Sequence, residues 1–204
     1  IRINIVDTPG HADFGGEVER ILNMVDGVML LVDAAEGPMP QTKFVLTKAL
    51  NQNLNPIVLI NKVDRSDQRA TEVLNDIFDL FIALDANDKQ LDFPVLYSSA
   101  KNGWASNDPD TTGQDMEVLL EKIVGHIPTP DADPNGPLKM LVTSLERDPY
   151  LGRVLTGRIN SGSIQTNQKV KSIDRTGKLV EKTRITKLLN FRGLERTAIK
   201  EAFA

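Results

Sequence analysis

One stretch limits the possible folds of this chain more than any other: PTPDADPNGP, residues 128–137, with four prolines and a glycine in ten positions. Each proline fixes φ and removes a backbone donor, so neither a helix interior nor a central strand can pass through it. The segment is expected to be a semi-rigid linker between two bodies. The hydrophobic period changes across it, an independent sign that the two bodies differ in kind.

Residues 1–127 alternate apolar runs with amphipathic stretches. IRINIV, GVMLLVD, PIVLINKVD and FPVLYSSA are short, nearly continuous and rich in Val, Ile and Leu. Runs of that kind belong to strands buried on both faces of a parallel sheet. Between them, Val18, Ile21, Leu22 and Val25 recur at helical spacing, with Asp13 placed to cap the helix. Phe44, Val45, Leu46 and Ala49 mark a second helix, and Val73, Leu74, Ile77, Phe78, Phe81 and Leu84 a third. Met116, Leu119, Leu120, Ile123 and Ile127 mark the last, with His126 expected to cap its end and lie on its surface. Strands alternating with helices predict an α/β fold with a doubly wound parallel sheet. Residues 138–204 instead alternate with period two in LKMLVTSLE, GRVLTGRIN, QKVKSID and VEKTRITKLL. Turn signals at Asp148-Pro149, Ser161-Gly162 and Thr176-Gly177 separate them, which predicts a small β-barrel. No closing turn follows EAFA, so the barrel is expected to be cut short.

Charge divides at the same place. Residues 137–204 carry 14 Lys/Arg against 6 Asp/Glu, whereas residues 1–136 carry 10 against 22. The basic part is suited to face phosphate, and the acidic part is not suited to wrap nucleic acid unaided. No run approaches the roughly 18 apolar residues of a membrane span, and no signal peptide is read at the start. With zero cysteines, disulfides and thiolate metal sites are excluded, which fits a reducing, cytoplasmic setting. Neither a membrane nor DNA is expected as a partner.

Three clusters fall at the C-terminal ends of expected strands, where open α/β sheets bind ligands. In Asp7-Thr8-Pro9-Gly10-His11, the carboxylate can ligate Mg²⁺ directly or through water, and Gly10 lets a backbone N–H approach a terminal phosphate. In Asn61-Lys62-Val63-Asp64, the Asp64 carboxylate can accept two parallel hydrogen bonds, which guanine offers through N1–H and its 2-amino group and adenine does not. The Lys62 stem can cover a base face, and the Asn61 amide can brace the loop or meet N7. In Ser98-Ser99-Ala100-Lys101, the small Ala100 lets its N–H approach a guanine O6, and Lys101 can cover the base from the other side, beside Ser99. In this order and at these strand ends, the three clusters together predict a guanine-nucleotide site for GTP or GDP.

DTPGHADFGGEVER, EGPMPQTK, NKVDR, LDFPVLYSSAKNG and FRGLER together resemble the TypA/BipA family of translational GTPases, within the superfamily of elongation factors G and Tu. The resemblance spans essentially the whole chain. It implies a partial P-loop-NTPase-like doubly wound parallel sheet followed by a partial translation-factor β-barrel domain. Residues 1–127 then form the second half of the GTP-binding domain, 128–137 the linker, and 138–204 the barrel. It implies further that Asp7 holds Mg²⁺ through water, that Gly10 meets the γ-phosphate, and that His11 orients the attacking water when ribosomal RNA engages it. The implied partner is the ribosome, through ribosomal RNA.

The phosphate-binding pattern G-x-x-x-x-G-K-[ST] is absent from the sequence. Gly152 to Gly157 imitates its spacing, but Arg158-Ile159 follows, inside the alternating part. The chain is therefore expected to begin on the strand that leads into the second switch, with the P-loop and first switch left off, and to be inactive alone. In a Ras-like sheet order a further strand would lie between IRINIV and GVMLLVD. Two other readings stay open: a LepA-like or elongation-factor-like GTPase, and a non-enzymatic module that binds RNA through its basic part.

Overall fold

The computed structural model describes residues 1–8 and 15–204, and of Glu17 only the backbone. Pro9, Gly10, His11 and Asp13, read above as site and cap residues, lie outside the described residues. The chain divides into two compact units, Ile1–Pro130 and Asp131–Ala204.

The first unit is built on a sheet of order β1 (Gly27–Asp33), β2 (Asn55–Asn61), β3 (Val95–Ser99) and β4 (Trp104–Ser106). The first three strands are parallel and β4 returns antiparallel to β3. Five consecutive residues of β2, Pro56 to Ile60, are buried, as its central place between two strands demands. Helices α2 (Pro40–Asn51) and α3 (Ala70–Ala83) close one face, where Leu46, Val73, Ile77 and Phe81 meet Leu30, Val32, Val58 and Ile60. On the other face α5 (Glu117–His126) sets Leu119 against Leu59, Leu96 and Ala105. Helix α1 (Gly15–Leu22) packs Val18 and Leu22 on Ala49 of α2. It ends before Val25, which its pattern includes, in a tightened turn where Met24 N–H donates to the Ile21 carbonyl at 2.8 Å. A short turn of helix, α4 (Asp88–Leu91), was not legible in the periodicity.

Three expectations change. IRINIV is not a strand: residues 1–8 carry no regular structure, and Ile1, Ile3, Ile5 and Val6 are exposed. A strand exists only where a neighbour takes its backbone hydrogen bonds, and no described strand flanks this run. Strand β1 is buried on one face only, with Leu30 and Val32 inside but Met29 and Leu31 exposed. His126 ends α5 half-buried and not wholly on the surface: its Nε2 is shut from solvent without a partner among the described residues. The next residue, Ile127, packs on Gly27, where a Cβ would come within 2.1 Å of Ile127 Cδ1.

The second unit is all β. Its strands pair as antiparallel ladders: β5 (Lys139–Asp148) with β6 (Gly152–Ser161), and β7 (Ser163–Gln165) with β12 (Glu201–Phe203). Likewise β8 (Lys169–Ile173) pairs with β9 (Leu179–Arg184), and β10 (Leu188–Arg192) with β11 (Glu195–Ile199). The ladders are four two-stranded sheets, without a hydrogen-bonded closure among the described strands. Asp148 Oδ1 accepts from the N–H groups of Tyr150 and Leu151, both at 2.8 Å, which makes the first hairpin turn. The P-loop-like spacing from Gly152 to Gly157 lies in β6, where a Cβ on Gly157 would fall 1.9 Å from the Leu141 carbonyl oxygen. That glycine serves strand packing. Part of the proline-rich stretch also belongs to this unit, since the Asp133 carbonyl accepts from Gly162 N–H at 2.8 Å.

Phe81 is fully buried and lies 4.4 Å, centroid to centroid, from the Phe93 ring. Phe81→Ala is expected to destabilise the first unit by about 3–5 kcal/mol, because the cavity it leaves is walled by strand and helix that cannot close over it. Urea unfolding of the chain measures this.

Candidate functional site

The parallel register sets Asp33 beside Asn61 and Asn61 beside Ser98. These three residues end β1, β2 and near-end β3, so they form a row across the C-terminal edge of the sheet. The loops that follow them emerge side by side, which brings Asn61–Asp64 next to Ser98–Lys101.

The Asn61 side chain joins those two loops. Its Oδ1 accepts from Ser98 Oγ at 3.1 Å and from the Ala100 N–H at 2.9 Å. Val63 N–H donates to the Ser98 carbonyl at 3.2 Å, while the Val63 side chain is buried in the core. Val63 therefore anchors the loop and turns no side chain toward a ligand. Ala100 N–H already holds one acceptor, so a base carbonyl arriving there would have to share it. The Lys101 N–H, next along the loop, has no partner among the described residues. Asn102 donates from Nδ2 to Ser99 Oγ at 2.9 Å and, across the gap, to Asp64 Oδ2 at 3.3 Å. That second bond is long, and Asp64 is exposed, which leaves its carboxylate open to stronger donors.

Lys62 is held differently. Its backbone lies in the left-handed region, φ +67°, and its Nζ reaches Asp33 Oδ2 at 2.6 Å. Burial pushes the Asp33 carboxyl up, but the Lys62 ammonium and the N–H groups of Ala35 and Glu36 outweigh it and hold it below the usual carboxylate range. The hydrogen bond and charge of Asp33 raise the Lys62 ammonium in turn. The loop after β1 is tied to α3 by Arg69. Its N–H donates to Ala34 O at 2.8 Å and its Nε to Ala35 O at 3.0 Å, while its guanidinium pairs with Asp76 at 3.1 Å.

Asn61, Lys62, Asp64, Ser99, Ala100 and Lys101 are thus gathered at one edge. Asp7 is not joined to them by any hydrogen bond or ion pair among the described residues, and it is exposed in the unpaired N-terminal segment. No group of three His, Cys, Asp or Glu side chains that could hold a metal is present among the described residues. Gly10 and His11 lie outside those residues. Sequence reasoning missed Asp33 and Asn102. Asp33 ends an apolar run like the other clusters do, and Asn102-Gly103 is a hairpin signal, so both were findable.

Comparison with known proteins gives a consistent set of likenesses. Residues 1–129 match the family "Elongation factor Tu GTP binding domain" and residues 152–204 match "Elongation factor Tu domain 2". The chain is 53% identical over its full length to "Large ribosomal subunit assembly factor BipA" of Bacillus subtilis, covering 33% of that protein. It is 53% identical over 96% of its length to the protein of the same name in Salmonella typhimurium, covering 32% of it. The chain therefore spans about a third of the length of the curated relatives it matches. A crystal structure of the bacterial selenocysteine-specific elongation factor EF-Sec shares its fold, with a TM-score of 0.67 over 97% of this chain and 31% of the other, at 23% identity.

Replacing Asn61 by Ala would leave the Ala100 N–H and the Ser98 hydroxyl without their acceptor. Ser98 is fully buried, so the loss is expected to be about 1–3 kcal/mol of stability. Amide exchange on the same variant should quicken at Ala100 before the core strands respond.

Proposed function

The chain belongs to the TypA/BipA family of translational GTPases, and from that premise we propose that its first unit binds the base of GTP or GDP between the loops 61–64 and 98–101. The longer protein of which this chain matches a third would hydrolyse GTP on the ribosome. The observation that carries the base site is the shared acceptor Asn61 Oδ1, which fixes both loops while leaving Asp64 exposed.

The residues present fit a guanine. Asp64 would accept its N1–H and 2-amino group in parallel, displacing the weak bond from Asn102, a pairing that penalises bases lacking those donors. The Lys101 N–H is the open donor for O6, with Ala100 N–H sharing. The Lys62 and Lys101 stems would lie over the two base faces. Mg²⁺ would neutralise phosphate charge; Asp7, through water, is the residue of this chain proposed to hold it, with Gly10 at the γ-phosphate and His11 orienting water. Their part is positioning and charge stabilisation, which is most of what phosphoryl transfer asks of a protein.

The ribosome as partner is supported from the second unit. In the β8–β9 ladder Lys169 stands opposite Arg184 and Lys171 opposite Lys182, all four exposed and on one face. Like charges directly opposite weaken a ladder, and no carboxylate pairs with these four among the described residues. Such a cluster is suited to the phosphates of ribosomal RNA. No described helix is long and apolar enough to cross a membrane.

The test is Asp64→Asn in the full-length protein. Asn replaces one acceptor by a donor that suits the O2 of xanthine, so preference should move from GTP toward XTP in competition binding. An unchanged preference for GTP removes Asp64 from base recognition.

A further inference from the structure

We infer that Asp33 is a positioning residue for the base site: it holds the Lys62 side chain across the end of the sheet, so that the lysine stem stands ready over one face of the base. The inference rests on the guanine reading of the site and adds a residue outside its two loops.

Three observations carry it. The parallel register places Asp33 beside Asn61, one residue from Lys62, and Ala34 N–H donates to the Asn61 carbonyl at 2.8 Å, closing the two strand ends together. The Asp33 carboxylate is fixed independently of the lysine, because its Oδ1 accepts from Ala35 N–H at 2.8 Å and Glu36 N–H at 3.3 Å. Its Oδ2 is then the point to which the Lys62 ammonium comes, at 2.6 Å. The carboxylate locates the lysine, and not the reverse. Burial agrees: the Asp33 side chain is 11% exposed, whereas that of Lys62 is 51% exposed. The head is tethered and the stem is open.

A free lysine stem loses rotamer freedom when a base settles on it. A stem already tethered loses less, and the left-handed φ of Lys62 shows its backbone committed to the same geometry. Asp33 therefore acts on binding through Lys62, without touching the nucleotide.

The experiment uses the full-length protein with Asp33→Asn, Asp33→Glu, Lys62→Met and the double variant Asp33→Asn/Lys62→Met. Asn at 33 keeps an oxygen for the Ala35 and Glu36 N–H groups, so it removes the ion pair and spares the turn. We expect Asp33→Asn to weaken GDP binding about tenfold and to raise KM for GTP alike while kcat stays within about twofold, the pattern of lost uniform binding. Asp33→Glu should recover part of the loss. In the Lys62→Met background, Asp33→Asn should add nothing, because the two residues act as one unit. Additive losses, or a fall in kcat to match the rise in KM, overturn the inference. Asp64→Asn run beside it separates the two readings. If Asp64→Asn turns preference toward xanthine while Asp33→Asn leaves GDP affinity intact, Asp33 alone is wrongly assigned. If Asp64→Asn leaves preference unchanged, the base site falls and Asp33 with it.

Discussion

A single amide oxygen, Oδ1 of Asn61, holds together what the rest of the candidate site needs. It accepts from a buried hydroxyl on β3 and from a backbone N–H in the loop beyond it. Two loops that leave separate strands are thereby fixed to one another. That matters because the loops lie at a solvent-facing edge, where backbone groups otherwise exchange partners with water. The bond is possible only because the sheet is parallel and in register, so that Asn61 meets Ser98 across the strand pair. The core beneath, from Phe81 and Ile77 through Val58 and Ile60, keeps that register from slipping.

Charge at the same edge is balanced locally. Asp33 neutralises Lys62, and Arg69 ties the Ala34–Glu36 loop to α3 by bonding carbonyls and Asp76. Lys101 is then the described cation in the two loops without a paired carboxylate. An edge so arranged can read a base through Asp64 and cover it with lysine stems, but it brings little positive charge to a triphosphate. Most nucleotide affinity in such proteins comes from phosphate contacts with backbone donors and a lysine at a helix N-terminus. The site proposed for this chain is accordingly one that reads the base.

Much of this was legible in the residues, for identifiable reasons. GVMLLVD, PIVLINKVD and FPVLYSSA are apolar enough to be strands in any parallel sheet, and the helical spacings between them order the chain. The neighbourhood of residues 61–64 and 98–101 follows from that order. IRINIV misled because strand formation needs a pairing neighbour, which composition does not report. Trp104–Ser106 was too short to show a period, although Asn102-Gly103 signalled its turn. The Asp33–Lys62 pair joins residues 29 apart through strand register, a relation that becomes visible only once the sheet is built. His126 ends half-buried with its Nε2 shut from solvent, a placement that no helical pattern encodes.

We propose that the base site is already formed in this chain. Titrating the isotopically labelled 204-residue chain with GDP and following its amide resonances tests that claim directly. The account predicts shifts confined to Asn61–Asp64 and Ser99–Asn102, saturating with a Kd on the order of a millimolar or weaker, since one bidentate pair with stacking supplies only a few kcal/mol. Shifts centred elsewhere, or micromolar binding that leaves these residues unmoved, would contradict it.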